Sequence, residues 1–152
     1  MPTVRVAEAF PGSVHEAETC WYDTRRWPAW IDGLARVVAV EGDWPSAGRV
    51  IWESGPAGRG RVVEDVVEQE PLHGQTVAVE DDSIEGRQTV SFTPVEAGVE
   101  VEVALSYRIK KRSVFTPLVD LLFVRRAMAT SVRTTLLRFG AELSSARRAD
   151  VG

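Results

Sequence analysis

The sequence predicts an α+β domain in which a seven-stranded, curved antiparallel sheet wraps around one long C-terminal helix, with two short helices after the first strand. Two observations carry this prediction. Residues 116–148 repeat apolar side chains at helical spacing, and much of the preceding chain consists of short β-rich runs separated by turn residues. Such a helix is roughly 50 Å long, whereas a domain of this size has a radius of gyration of about 15 Å. The helix must therefore cross the whole domain, and the sheet must curve to cover it.

The chain opens with a predicted strand at residues 3–10, which a Pro-Gly pair ends. An S-x-x-E capping box that begins at Ser13 predicts a first helix from Val14 onward. The next aromatic-rich segment, residues 25–32, lies between turn signals and predicts a second short helix or turn.

Six further strands are predicted between Gly33 and the long helix, arranged as an antiparallel meander. The last of them alternates most clearly, with Val, Leu, Tyr and Ile on one face and charged or small polar residues on the other. One face of the sheet is therefore dry and the other wet. The predicted strands cover residues 35–42, 48–54, 60–70, 75–81, 87–94 and 99–110.

The long helix has both a start signal and an apolar face. Thr116 can cap it, and Pro117 suits its first turn. We expect the helix to end near Arg148, which makes residues 1–148 a single domain and residues 149–152 a disordered tail. The apolar residues that share one arc of about 120° on the helical wheel are Leu118, Leu121, Leu122, Met128, Ala129, Val132, Leu136, Phe139 and Leu143.

The composition restricts the class of protein. Apolar residues make up 44% of the chain and charged residues 26%, as in ordinary soluble domains. No apolar run is long enough to span a membrane, and the N-terminus lacks the apolar core of a signal peptide. Because Cys20 is the single cysteine, an internal disulfide is excluded and a cytoplasmic location is expected. With two histidines and one cysteine, neither a metal site nor a cofactor is predicted.

The net charge is unevenly distributed along the chain. Residues 1–107 carry 8 basic and 19 acidic side chains, a net charge of −11, whereas residues 108–152 carry 10 basic and 3 acidic ones, a net charge of +7. One interpretation is a basic helix that contacts anionic lipid or nucleic acid. The other, which we favour, is that its arginines are solvated or face the acidic strands. We thus expect no nucleic-acid partner, allow peripheral membrane contact, and leave open a monomer or a homodimer.

The element order, the segment at residues 23–30 (Asp-Thr-Arg-Arg-Trp-Pro-Ala-Trp) and the strand end at residues 67–71 (Val-Glu-Gln-Glu-Pro) together suggest a family. The chain resembles the helix-grip fold of the START/Bet v 1-like (SRPBCC) superfamily, in particular its bacterial polyketide cyclase/dehydrase-like and lipid-transport members. The resemblance covers almost the whole chain. It implies a cavity between the sheet and the long helix that holds an apolar or aromatic molecule. Because the superfamily includes carriers, cyclases, chaperone activators and hydratases, it does not select an activity.

Arg125 is the most informative polar residue, because the helical wheel places it near the centre of the apolar arc, beside Leu121 and Met128. A buried guanidinium needs a partner. Arg125 could hold a carboxylate, phenolate or enolate oxygen of a ligand. Alternatively, it pairs with an inward strand carboxylate or extends to the mouth of the cavity.

The strand at residues 60–70 could supply that carboxylate, but its inward face is ambiguous. Three glutamates share one set of alternating positions, which favours that set facing water. Arg61 and Asp65 would then point inward. Asp65 would pair with Arg125, or act as a general base with a raised pKa, of which the plain salt bridge is the simpler alternative.

Several aromatic residues could line the cavity. Trp52 and Tyr107 have inward parity on their strands, where they either stack on a planar ligand or belong to the plain core. Trp27 and Trp30 either cover the mouth of the cavity or fix the short helix. Trp44 lies beside Pro45 in a loop and is expected to be exposed or at a contact surface.

The leading hypothesis is a container for a small hydrophobic or aromatic molecule, such as a lipid, a quinone or a polyketide-like compound. The second is an enzyme, a cyclase, aromatase or dehydratase that uses Arg125 with Asp65 or Tyr107 in the same cavity. The third is an interaction module that docks through the basic helix and has a filled interior. No catalytic set is recognised, so whether the protein is an enzyme stays open.

Overall fold

The computed structural model describes residues 2–55, 60–110 and 118–151, and within the last range it describes side chains from Val124 to Asp150. The predicted helix start at Thr116 and Pro117 and the side chain of Leu121 lie outside the described residues.

The element order confirms the predicted α+β helix-grip fold. The ends of all seven strands lie within three residues of their predicted positions. The elements are β1 (Thr3–Phe10), α1 (Val14–Tyr22), a 3-10 turn (Thr24–Arg26), α2 (Trp27–Trp30), β2 (Leu34–Glu41), β3 (Arg49–Ser54), β4 (Arg61–Glu70), β5 (Gly74–Glu80), β6 (Ile84–Val95), β7 (Gly98–Ile109) and α3 (Leu118–Val151).

The seven strands form one antiparallel sheet in the order β1-β7-β6-β5-β4-β3-β2. Consecutive strands from β2 to β7 are neighbours, as expected for a meander, and β1 returns to pair with β7. One face of this curved sheet packs on α3. The helix continues to Val151, so residues 149–151 are helical and the predicted disordered tail is wrong there.

The capping box forms as predicted and fixes the start of α1. Ser13 Oγ accepts a hydrogen bond from the Glu16 backbone N–H at 3.0 Å, and the Ser13 N–H donates to Glu16 Oε1 at 2.9 Å. The buried face of this helix includes Cys20, whose pKa burial raises to about 11. Cys20 is thus a buried apolar side chain and a poor nucleophile.

The core lies between the inner face of the sheet, the two short helices α1 and α2, and the second half of α3. All inward positions of β7 from Val99 to Tyr107 are buried, which confirms the predicted alternation. On α3 the buried side chains follow the helical repeat of the predicted apolar face and are Val132, Leu136, Phe139 and Leu143.

Two arginines of α3 face acidic residues of the first third of the chain. Arg138 Nη1 lies 3.4 Å from Asp32 Oδ1, and Arg147 Nε lies 3.2 Å from Glu16 Oε2. Their partners lie in the loop after α2 and on α1, and not on the acidic strands that the favoured interpretation named. Among the described helices, none is long and apolar enough to cross a membrane.

Candidate functional site

A cavity lies between the inner face of the sheet and α3, and α2 with the loop after it forms one side. Its volume is about 70 Å³, well above the roughly 10–15 Å³ that one water molecule needs. Most of the wall is aromatic or aliphatic, and a few polar side chains interrupt it. Small-molecule sites typically have this composition, so the cavity is the candidate site.

Tryptophans from α1, α2 and β3 form much of the wall: Trp21, Trp27, Trp30 and Trp52. The Trp30 ring centroid lies 4.6 Å from that of Trp21 and 6.4 Å from that of Trp27. Trp27 Nε1 donates a 2.8 Å hydrogen bond to the Trp21 carbonyl oxygen, and the buried Trp30 Nε1 has no partner among the described residues. Trp27 and Trp30 therefore fix α2 against α1 and also line the cavity.

Trp44 is half-buried instead of exposed, which corrects the prediction for this residue. Its Nε1 donates to the Tyr22 carbonyl oxygen at 2.9 Å, and its ring packs edge-on against Trp27 at 5.6 Å. The loop between β2 and β3 thus folds back onto α1 and α2 and supports the tryptophan wall from behind.

Trp52 and Glu64 form a buried polar pair at the cavity. Trp52 Nε1 donates a 2.7 Å hydrogen bond to Glu64 Oε2, and Glu64 is only 7% exposed. The pair follows from the register, because Trp52 lies opposite Val62 and Glu64 is two residues further along on the same face. A carboxylate thus lies in the wall of a largely apolar cavity.

The sequence left the inward face of β4 ambiguous, and the face that its three glutamates favoured is not the one that points inward. Asp65 lies on the outer face of the sheet, about half exposed, with its Oδ1 2.9 Å from Arg49 Nε. The register shifts between Val66 and Glu68, which leaves Val67 as the extra, exposed residue of a bulge. Strict alternation grouped Glu64 with the solvent-facing Glu68 and Glu70, whereas the bulge separates Glu64 from them.

The flanking pattern of Glu64 was the signal that sequence reasoning missed. This glutamate is bracketed at two-residue spacing by Val62 and Val66, and the Val62 side chain is buried. Before the bulge, alternation alone therefore assigns Glu64 to the inner face.

A second polar group joins the loop after α2 to α3. Ser131 Oγ donates to Asp32 Oδ2 at 2.8 Å, and the Asp32 backbone N–H donates to Thr135 Oγ1 at 2.9 Å. All three residues line the cavity. Ser131 is not among the residues of the predicted apolar face, and only the fold shows that it meets the loop. These bonds hold one side of the cavity at a fixed distance from the helix.

Gln88 contributes a polar group from the opposite part of the sheet. It lies on the inner face of β6 and lines the cavity, between its partners Val77 on β5 and Leu105 on β7. The described part of the chain gives its side-chain amide no hydrogen-bond partner. Gln88 can therefore donate to or accept from a ligand.

The residues predicted on α3 have different outcomes. Met128 lines the cavity, whereas Arg125 is exposed and is absent from the described part of the wall. Inward positions are buried from Val132 onward, but residues 124–129 are half-buried or exposed, so the sheet does not enclose Arg125. The prediction of a buried Arg125 was therefore wrong. A helical wheel shows which residues share a face, but it does not show how far along the helix the sheet covers that face.

Tyr107 is buried, as its strand parity predicted, but it lies in the core and does not form part of the described wall. Burial raises the pKa of its hydroxyl, and the charge of the nearby Arg125 opposes this shift. Among the described residues, no cluster of His, Cys, Asp and Glu could hold a metal ion. The polar chemistry in the described wall therefore comes from carboxylate, amide, hydroxyl and indole groups.

Solved structures share this fold over nearly the whole chain. The Thermus thermophilus protein TTHA0849 is 20% identical with a TM-score of 0.80, covering 95% of this chain and 99% of that one. The Staphylococcus aureus protein SA2116 is 10% identical with a TM-score of 0.74, covering 97% and 96%. StfQ, a di-domain ARO/CYC of the steffimycin biosynthetic pathway, is 19% identical with a TM-score of 0.75 over 95% of this chain and 51% of its own.

A search of the curated proteins finds no match. A model of the family described as polyketide cyclase / dehydrase and lipid transport matches residues 1–144. This match confirms the resemblance inferred from the residues. The chain belongs to the polyketide cyclase / dehydrase and lipid transport family.

Proposed function

We propose that the protein binds a small aromatic or apolar molecule in the cavity between the sheet and α3. The observation that carries this proposal is the tryptophan wall, into which a few fixed polar groups are set. Aromatic rings offer large apolar contact area, and isolated polar groups orient a ligand within it. A ring-containing lipid, a quinone or a polyketide-like compound has the matching chemistry.

The direct contacts in this proposal come from Trp27, Trp30, Trp52 and Met128. Three of them are rigid aromatic surfaces, and Met128 is flexible enough to adapt to the shape of a bound molecule. Arg125 is not among these contacts because its side chain is exposed. Family membership supports a ligand-binding or cyclase role for the same cavity.

The size of the cavity limits the ligand. The volume of about 70 Å³ lies below the roughly 300–1,000 Å³ of sites for drug-sized molecules. A small ring system is the best fit to the cavity as it stands. A molecule as large as a complete polyketide would require α3 and α2 to move apart.

The test is uptake of naphthalene, a neutral two-ring molecule, measured by calorimetry, together with native mass spectrometry of anything that co-purifies. Met128→Trp should fill the cavity and weaken uptake at least about tenfold, because overpacking removes the space for the ring. Leu137→Trp is the matched control, since Leu137 lies on the same helix but is 55% exposed. Uptake equal in wild type and both variants, or no uptake and no co-purified molecule, would refute the proposal.

A second candidate function is a cyclase, aromatase or dehydratase reaction in the same cavity. Glu64 favours it, because a buried carboxylate in an apolar wall can accept a proton from a bound substrate. The shared fold with StfQ, a di-domain ARO/CYC, supports the same candidate. Turnover of a poly-β-ketone substrate that disappears in Glu64→Gln while binding persists would establish it. Binding without turnover in the wild type would leave the container function.

The interaction-module hypothesis required a filled interior. The structure contains a cavity between the sheet and α3, so the interior is not filled. We therefore do not propose docking through α3 as the main function.

A further inference from the structure

We infer that the indole N–H of Trp30 is the hydrogen-bond donor that anchors a ligand in the cavity. The cavity should therefore prefer ring molecules that carry an acceptor oxygen, such as a ketone carbonyl. This inference rests on the proposed function, since it concerns the ligand of the same cavity. It differs from the sequence-based expectation, in which the Arg125 guanidinium held the ligand oxygen.

The Trp30 N–H is a buried donor. Trp30 is 1% exposed, and its Nε1 has no hydrogen-bond partner among the described residues. An unpaired buried N–H is costly, and nearly all such groups in native proteins are hydrogen-bonded. Because bulk water does not reach this atom from outside, the cavity that Trp30 lines is the space from which a partner can approach.

The aromatic rings packed around Trp30 offer no acceptor oxygen to this donor. The ring centroids of Trp21 and Phe139 lie 4.6 Å and 5.1 Å from that of Trp30, and the Trp27 centroid lies at 6.4 Å. A contact between an N–H group and an aromatic face is weak compared with a hydrogen bond to oxygen. An oxygen atom of a bound ligand is therefore the stronger partner.

The polar residue that follows Trp30 most closely is held in other bonds. Asp32 Oδ2 accepts from Ser131 Oγ at 2.8 Å, and the Asp32 backbone N–H donates to Thr135 Oγ1 at 2.9 Å. Turning Asp32 towards Trp30 would break the first of these bonds. The Trp30 side chain is itself fixed by its aromatic neighbours, so the donor is preorganised and loses little freedom when a ligand binds.

These contacts define the chemical class of the ligand. A hydrocarbon ring that fills the cavity leaves the Trp30 N–H unpaired, whereas a ketone built on the same ring accepts from it. The ring supplies apolar contact with the tryptophan wall, and the carbonyl group fixes the orientation of the ring. The cavity volume of about 70 Å³ restricts the choice to small ring ketones.

The experiment measures binding of 1-tetralone and tetralin by calorimetry at pH 7. Both are neutral two-ring molecules, and they differ in a single carbonyl group. The quantity of interest is the Kd for tetralin divided by the Kd for 1-tetralone. Trp30→Phe retains a ring but removes the N–H, so it should lower this ratio about tenfold, because the ligand carbonyl loses its donor.

Trp27→Phe is the matched control. Trp27 lies on the same short helix and lines the same cavity, but its Nε1 already donates to the Trp21 carbonyl oxygen at 2.8 Å. This variant loses a similar ring area. It should change the affinities for both probes alike and keep the wild-type ratio.

A second measurement uses the wild-type protein and does not depend on the folding of a variant. Proton nuclear magnetic resonance resolves the indole N–H protons of tryptophan, and the Trp30 signal can be assigned through its contact with the Phe139 ring. We expect 1-tetralone to move this resonance downfield relative to its position with tetralin, because the N–H proton then lies against an oxygen.

The outcomes separate the two proposals. If the wild type binds both probes but Trp30→Phe and Trp27→Phe have the same ratio, the anchor is refuted while the container function stands. The anchor is also refuted if the two probes shift the Trp30 N–H resonance alike. If neither probe binds and naphthalene is not taken up, the proposed function fails and the inference fails with it.

Discussion

The hydrogen bond between Trp52 and Glu64 can be tested through the stability of the fold. A Trp52→Phe substitution retains a ring but removes the indole N–H that donates to Glu64 Oε2 at 2.7 Å. Glu64 is 7% exposed, so water cannot easily replace the lost donor. Hydrogen bonds to charged groups contribute about 1.5–3 kcal/mol, compared with about 0.5–1.5 kcal/mol for neutral pairs.

Trp27→Phe is a matched control for this substitution. Trp27 is equally buried, and its Nε1 donates at a similar distance, 2.8 Å, but its acceptor is the neutral carbonyl oxygen of Trp21. Both variants lose a similar ring area. The difference between their free energies of unfolding therefore reports the effect of the charge on the acceptor. We expect Trp52→Phe to lower the free energy of unfolding by about 1 kcal/mol more than Trp27→Phe.

The assay is urea unfolding followed by far-ultraviolet circular dichroism at pH 7. With a slope of about 1–3 kcal/mol per molar urea, a difference of 1 kcal/mol separates the two midpoints by roughly 0.3–1 M. A double-mutant cycle of Trp52→Phe with Glu64→Gln should show coupling of about 0.5–3 kcal/mol, as for residues in contact. If the two tryptophan variants lose the same free energy of unfolding and the cycle shows no coupling between Trp52 and Glu64, the proposed contribution of this hydrogen bond is refuted.

Three further predictions concern helix packing, helix capping and burial outside the described cavity wall. Gly140→Ala places a Cβ against the Phe10 ring, so we expect a net destabilisation of about 1 kcal/mol in thermal unfolding. Phe10→Leu should recover part of this loss, and a stabilised Gly140→Ala variant would contradict the contact. Ser13→Ala removes the acceptor of the Glu16 N–H and should cost about 1 kcal/mol in urea unfolding, whereas no change would mean that the cap is redundant. Burial raises the pKa of Cys20 from 9.0 to about 11. At pH 8 its thiol should therefore react with iodoacetamide about 100-fold more slowly in the folded protein than in the unfolded chain. Equal rates in the two states would show that the Cys20 thiol is accessible to solvent.

The fold was predictable because the signals that specify it are local and repeated. Alternation along β7, the capping box at Ser13 and the apolar repeat of α3 each follow from neighbouring residues. The candidate site was predictable only in part. Trp52 and Met128 line the cavity as expected, since strand parity and helical phase decide their direction, whereas for Trp27 and Trp30 the sequence left two roles open.

The site residues that were mispredicted depend on non-local geometry. The bulge at Val67 changes which residues of β4 share a face, and it is defined by pairing with β5, which no short window of sequence contains. Arg125 has the helical phase of a buried residue, but burial also requires a sheet opposite it. Asp32 meets Ser131 across 99 residues of chain, so their hydrogen bond depends on the tertiary fold alone.

The polar groups around the cavity also explain why it persists in a packed domain. Protein interiors are close-packed, and an empty space in a core is costly, so a cavity with movable walls would close. Here one wall is a set of interlocked tryptophans, and the loop after α2 is held to α3 by the hydrogen bonds of Asp32. Closure would break these bonds or separate Glu64 from the Trp52 N–H, and the loss of a buried hydrogen bond is costly. The same contacts that keep the cavity open therefore also fix the groups that a ligand would meet.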